Sequence, residues 1–174
     1  LYIRSINKNT MKNLITLLIV LLSISGYSQS PTDTIGYDGV NVRLIDSLVE
    51  VYVNEERINY GVKPLEISEG VRNHSYTHSQ WMVDNDKFEH SKGSITVECC
   101  LATLIYGGLT YEVVAIRMVE QWFSSLPHKR ALLNGSYKYG GCGTAFIKDS
   151  DDSFYLIKSS FGLSPISSEY FTSK

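Results

Sequence analysis

The sequence is poor in the features that would assign a function at sight. It has 3 cysteines in 174 residues. A fold stapled by several disulfides is therefore excluded, and one bridge with one leftover thiol is the most they allow. The 16 Lys and Arg set against 18 Asp and Glu leave a net charge of −2. That balance gives no electrostatic footprint for nucleic acid, and no sustained basic run exists to hold a membrane surface. There is no internal repeat and no low-complexity segment. No apolar run reaches the ~20 residues that a bilayer-spanning helix needs. The histidines number 4. Two of them, His74 and His78, lack the glutamate that would complete a zinc-protease helix His-Glu-x-x-His, because Ser75 follows His74. No serine or cysteine stands visibly beside a base as an activated nucleophile, so no catalytic residue is assigned.

What is present fits one globular domain with a real core: 43% apolar and 20% charged residues. The N-terminal region has the plan of a secretory signal peptide over residues 11–28. Met11-Lys12-Asn13 is the basic start, Leu14 to Ile24 the short apolar run, and Gly26 and Ser28 the small residues before a cleavage at Gln29. Residues 1–10 read as an over-extended start. No cysteine follows the apolar run, which argues against a lipid anchor. The expected location is secreted, periplasmic or extracellular, with no stable membrane span after cleavage. Residues 29–41 read as a polar linker and 164–174 as a C-terminal tail.

Helical periodicity begins with Leu44, Ile45, Leu48, Tyr52 and Ile58, and Gly61 and Pro64 end it. Asn54, Glu55 and Arg57 read as its solvated face. Ser68 caps a second helix with Val71, His74, Ser75, His78, Trp81 and Met82 on one face. His74 and His78, four apart on that face, read as packing or hydrogen-bonding histidines. Phe88 to Ser91 and Ile95 to Leu101 read as extended pieces. After Gly107-Gly108, Thr110 caps a third helix that ends at Pro127, followed by a short helical turn from His128 to Leu133. Gly141 to Ile147 and Phe154 to Phe161 form a terminal hairpin around Asp149 to Asp152. Helices first and a hairpin last make the class α+β.

The chemistry gathers around three residues. His90 follows Phe88-Glu89, Glu98 follows a Ser/Gly/Thr connection, and His128 lies in Ser125-Leu126-Pro127-His128. Imidazoles and a carboxylate suit zinc, which takes four ligands and accepts water as one. The same groups can do acid–base work, or simply form a hydrogen-bonded cluster that orders the cleft walls.

These motifs, in this order, resemble the CAP superfamily: cysteine-rich secretory proteins, antigen 5 and plant pathogenesis-related proteins, which share the SCP domain. The likeness is greatest to short bacterial members and covers roughly residues 42–163. Asn54-Glu55-Glu56-Arg57 matches the family's Asn-x-x-Arg, and Phe88-Glu89-His90-Ser91 its Phe-x-His-Ser. Glu98 sits where Gly-Glu-Asn is usual, and Trp122 with Ser125-Leu126-Pro127-His128 matches Trp…Ser-Pro-Gly-His-Arg. The resemblance implies a three-layer α-β-α sandwich with a central antiparallel sheet. It also implies a cleft lined by His90, Glu98 and His128, with Ser125 where many eukaryotic members have a fourth, acidic group. His90, Glu98 and His128 are then the expected ligands of a divalent metal such as zinc. Cys142, in Gly-Gly-Cys-Gly, is similar to a family strand that is often disulfide-bonded. It is expected to pair with Cys99 or Cys100, preferably Cys100, leaving Cys99 toward the cleft. The preferred functional reading is a secreted binding module whose cleft takes a small apolar, lipid-like ligand or a peptide. A metal-assisted hydrolase using His90, Glu98 and His128 and a scaffold with a vestigial site are the alternatives.

Overall fold

A computed structural model describes residues 29–36, 39–92, 97–148 and 154–166. The expected over-extended start and signal peptide, the Ser/Gly/Thr connection, the expected hairpin turn and most of the expected tail lie outside the described residues. Among the described residues, four helices and four strands follow in the order α1 (Val42–Asn59), β1 (Glu66–Ile67), α2 (Glu69–Asp84), β2 (Val97–Tyr106), α3 (Tyr111–Ser124), α4 (Leu126–Leu132), β3 (Tyr139–Lys148) and β4 (Phe154–Ser164). The sheet runs β1-β3-β4-β2. The three long strands are antiparallel, with Cys99 and Cys142 both opposite Phe161 of β4. The two-residue β1 pairs parallel with β3 at Tyr139 and Gly140. The sheet is therefore mixed rather than wholly antiparallel, and the class is α+β.

The helix ends obey local chemistry. Asn41, Ser68 and Thr110 each accept a bond from the backbone N–H three residues on. Past α1, Gly61 turns at φ +71°, and Val62 N–H returns to Arg57 O at 2.8 Å. Past α2, Asp86 takes the left-handed position at φ +48°, and Lys87 N–H returns to Met82 O at 2.9 Å. Pro127 does not end α3. It lies in the first turn of α4, where its missing N–H costs nothing, and the break falls at Ser125.

One face of the sheet carries the apolar core. Ile45, Val49 and Val53 of α1 and Val114, Met118 and Trp122 of α3 pack with Leu101, Ile157, Phe161 and Leu163. The inward face of α1 is rotated one position from the expected one, and Ile58 is exposed. Arg57 is the larger correction. It is 1% exposed, and its guanidinium donates to the carbonyls of Lys63, Leu132, Asn134 and Tyr137. It ties α1 to the end of α4 and the approach to β3. Residues 29–36 are not a loose linker either: Ile35 is buried and exchanges backbone bonds with Leu109 and Gly108 at 2.8 and 3.2 Å.

Helix α2 covers the other face at unusually close range. A Cβ on Gly141 would stand 2.6 Å from Arg72 N, and one on Gly143 would overlap the Tyr76 backbone nitrogen. Ser75 Oγ donates to Gly141 O at 3.0 Å and accepts from Gly162 N at 3.1 Å. Ser79 Oγ donates to Gly143 O at 2.7 Å. The open edge of β3 is closed by Glu50 of α1, which accepts from Cys142 N at 3.0 Å and pairs with Arg72 of α2, so one ion pair joins the two helical layers.

The expected Cys100–Cys142 bridge does not form: all three cysteines are buried free thiols. Strand β4 lies between β2 and β3. Both Cys99 and Cys100 are thus two strand spacings from Cys142, about 9–10 Å, beyond the roughly 7 Å that a disulfide spans.

Two stability measurements follow from this packing. Gly143→Ala should destabilise by about 1–3 kcal/mol or more, because a backbone atom occupies the space; denaturant titration against wild type reads it. Asp46, buried beneath Thr144, has its carboxyl pushed up to about 6 by burial, against its bonds from Thr144 and Cys142 and with help from the Glu50 charge. A pKa raised in the folded state favours folding at low pH, and this contribution is lost as pH rises through about 6. Asp46→Asn should therefore stabilise at neutral pH by on the order of 2–3 kcal/mol, with the gain shrinking toward about pH 4. Equal pH profiles for the two proteins would contradict this.

Candidate functional site

The site forms where β2 begins beneath the second half of α2. Alternation along β2 sends Glu98 and Cys100 toward α2 and Cys99 toward the apolar core. Accordingly Cys99 belongs to the core cluster, and Cys100 Sγ lies 3.4 Å from His90 Nδ1. The expectation that Cys99 would face the cleft is reversed. Trp122 Nε1 donates to the Cys100 carbonyl at 3.3 Å and fixes the strand from the core side.

Glu98 is the centre. Its side chain is 3% exposed. Ser91 holds both oxygens, with the backbone N–H at 2.8 Å and the hydroxyl at 2.7 Å. His74 Nε2 is 3.3 Å from one oxygen, and His78 Nε2 and His90 Nδ1 are each 3.9 Å from the other. Burial alone would raise its pKa. The His74 bond, the two Ser91 bonds and the His78 charge outweigh burial and hold the carboxyl at about 2, so it is ionised at neutral pH. The site gives it no lysine or arginine partner among the described residues; its partners there are imidazoles, a hydroxyl and a backbone N–H.

The segment Lys87 to Lys92 forms the outer wall. Phe88 to Ser91 is irregular rather than a strand, and Phe88 is exposed. The wall is anchored from below by Lys158 of β4, 4% exposed, whose Nζ donates to Met82 O at 2.9 Å and Lys87 O at 3.0 Å. A cation at the carbonyl end of α2 also suits the helix dipole. His78 Nε2 lies 2.7 Å from Glu89 O, so the helix grips the wall directly. Between them opens a cavity of ≈ 290 Å³ lined by His78, Trp81, Lys87, Glu89, His90, Ser91 and Lys92. Trp81 stacks on His78 with ring centroids 5.8 Å apart, and Lys87 Nζ stands 5.5 Å from the Trp81 ring.

His128 lies on α4, whose carbonyl at His128 receives Cys99 Sγ at 3.9 Å. Burial, and then the charge of His90, lower its pKa. Ser125 is at the α3–α4 junction, its N–H donating to Trp122 O and its carbonyl accepting from Lys129 N. No hydrogen bond or ion pair among the described residues joins His128 or Ser125 to Glu98. Sequence reasoning did not place His74, His78 or Cys100 beside Glu98. The first two were visible as an i, i+4 pair, and Cys100 shares strand parity with Glu98.

The thiols are buried, which disfavours their thiolate forms in the absence of a metal. Burial, with the neighbouring Cys100 and Glu98, pushes Cys99 up to about 12, and burial with the Glu98 charge pushes Cys100 up to about 12. The donor set does fit a zinc-like ion: imidazole, carboxylate and sulfur converge, and His78, Glu98 and Cys100 each place one ligand atom within 4.8 Å of the others.

The model of the cysteine-rich secretory protein family, CAP, matches residues 51–158, more than half of the chain and all of the site. The chain belongs to the CAP family. Among solved structures it is similar to an outer surface protein of Borrelia burgdorferi, at 17% identity and a TM-score of 0.46, covering 75% of this chain and 97% of that one. It is also similar to an extracellular protein of Bacillus anthracis containing an SCP domain, at 18% identity and TM-score 0.46, covering 68% and 40%. A cysteine-rich secretory protein of Staphylococcus aureus matches at 21% identity and TM-score 0.37, covering 70% and 38%. The chain thus spans about two fifths of the length of the latter two. Comparison with curated proteins gave no match. Among the described residues no helix is long and apolar enough to cross a membrane.

The depressed carboxyl gives a pH prediction. A folded pKa of about 2 against an ordinary 4.5 supplies stability that is present above the ordinary value and lost as pH falls toward 2. At full ionisation it is worth roughly 3 kcal/mol at most. Glu98→Gln should lack this acid-side loss, so the two denaturation curves should converge as pH falls from 5 toward 2. A constant offset between them would show that the carboxylate is not held this way.

Proposed function

We propose that this CAP domain is an exported binding module whose cleft takes a short peptide segment. The observation that supports this is the cavity of ≈ 290 Å³ with an indole wall and a cationic rim. A volume at the small end of ligand sites suits one side chain better than a whole lipid. Trp81 and His78 offer a flat stacking surface for an aromatic or apolar residue. Lys87 and Lys92 offer the rim a partner for a carboxylate on the same segment. The family and the plan of the N-terminal sequence support export.

Binding is favoured over hydrolysis by the state of Glu98. A general base works best with a pKa near the operating pH, and a carboxyl at about 2 is a poor proton acceptor at neutrality. Ser91 Oγ donates to that carboxylate, but so weak a base does not activate a hydroxyl. The buried cysteines hold their protons. The side chains of the cleft by themselves thus grip and orient, with little to drive acyl transfer.

A peptide array and a panel of phospholipid vesicles, both offered to the purified chain, test the reading. Bound peptides should share an aromatic or apolar residue near an acidic one. Trp81→Ala should weaken them about tenfold or more, in line with the loss of one stacking anchor. Tyr60→Ala, in the separate pocket near Phe123 and Lys129, should leave them unchanged. Vesicle binding without peptide binding, or equal affinity in Trp81→Ala, would overturn the proposal.

A further inference from the structure

The cleft contains a donor that the family resemblance does not supply. Glu98 and Cys100, two apart on β2, leave the strand on the same side. β4 holds that strand in register, opposite Gly162 and Ser160. His78 reaches the same point from α2, whose position is fixed by the glycine contacts of β3. One ligand atom each from His78, Glu98 and Cys100 lies within 4.8 Å of the other two, and all three residues are buried. His90 Nδ1 stands 3.4 Å from Cys100 Sγ and 3.9 Å from Glu98 Oε2. Its side chain is 62% exposed, so it can turn toward or away from the group.

We propose that His78, Glu98 and Cys100 form a zinc-class metal site, with His90 or water as fourth ligand, in place of a site built from His90, Glu98 and His128. Four ligand atoms at zinc bond lengths of about 2.0–2.3 Å lie roughly 3.3–3.8 Å apart. The three donors therefore need to close by about 1 Å, within the reach of side-chain rotation. His78 must release Glu89 O, a cost of about one hydrogen bond. On binding, the Cys100 thiol passes its proton to solvent and its sulfur takes up the ion beside the Glu98 carboxylate. A thiolate and a carboxylate then neutralise a dication in a buried place, and the imidazole adds no charge. Sulfur and imidazole select zinc-like ions over magnesium and calcium. The proposal does not depend on the peptide reading, since its test uses the metal alone.

Cobalt(II) titration of the purified chain, kept reduced and metal-free, is the experiment. Wild type should bind one equivalent with the near-ultraviolet absorption of a thiolate–cobalt bond and the strong visible bands of a four-coordinate ion, and zinc should erase both. Excess magnesium should leave them in place. Cys100→Ser should lose the thiolate absorption, and both Cys100→Ser and His78→Ala should weaken zinc at least about tenfold by calorimetry. Cys99→Ala should keep both signals, because that thiol faces the core. Cobalt bound without the thiolate absorption would overturn the proposal, and this reading needs no variant to fold. So would displacement by magnesium, or loss of binding in His128→Ala with His78→Ala unaffected.

Discussion

The seating of α2 on a glycine-lined sheet is the constraint from which the rest of the structure follows. Helices on sheets normally stand off by the thickness of their side chains. Here Gly141, Gly143 and Gly162 remove those side chains, and the backbone of α2 descends to the strands. The descent buries backbone carbonyls that need donors, and Ser75 and Ser79 provide them. Serine is short enough to fit, which apolar residues of similar reach would do only by leaving those groups unsatisfied. The same seating sets where His74 and His78 end, because they lie on the helix between and beside those serines. A helix held at ordinary distance would lift both imidazoles away from Glu98. Local glycine content, helix height and the imidazole–carboxylate distances of 3.3 and 3.9 Å are therefore links in one chain.

Much of the fold was legible from local chemistry. The caps at Ser68 and Thr110 and the stop at Gly61 depend on neighbours in sequence, and all occur where their residues put them. What the sequence concealed depends on contacts across the chain. Arg57 reads as solvated because an arginine on a helix usually is. Its burial needs carbonyls from residues 63, 132, 134 and 137 to meet at one point. The two-residue β1 carries no periodicity to detect. The disulfide expectation failed on strand order, which spacing along the chain does not contain.

The site was legible as an address and not as a list of groups. His90 and Glu98 stand together as their motifs suggest. The missing members, His74, His78 and Cys100, needed two facts of placement: which side of β2 is odd, and how low α2 sits. Parity was available once Glu98 was taken as the cleft residue, since the residue two along shares its face. The height of α2 was encoded in the Gly-Gly-Cys-Gly run, which drew notice for its cysteine when its glycines were the structural signal.

Two of the buried carboxylates, Glu50 and Glu98, show how the fold separates support from the candidate site. Glu50 faces the Arg72 guanidinium and the Cys142 N–H. Its counter-charge is permanent, since a guanidinium does not lose its proton. Removing either partner would leave a buried charge without its counter-charge. Glu98 is as deeply buried, yet its neighbours are imidazoles, a hydroxyl and a backbone N–H. An imidazole can serve as a metal ligand, and a guanidinium cannot. Glu98 is thus surrounded by groups that could share a cation with it, whereas Glu50 is not. A fold that needed only rigidity at this point would be served by a second arginine. With imidazole partners around a buried carboxylate and a cavity opening beside it, the cleft is where the arrangement leaves room for the proposed cation or ligand.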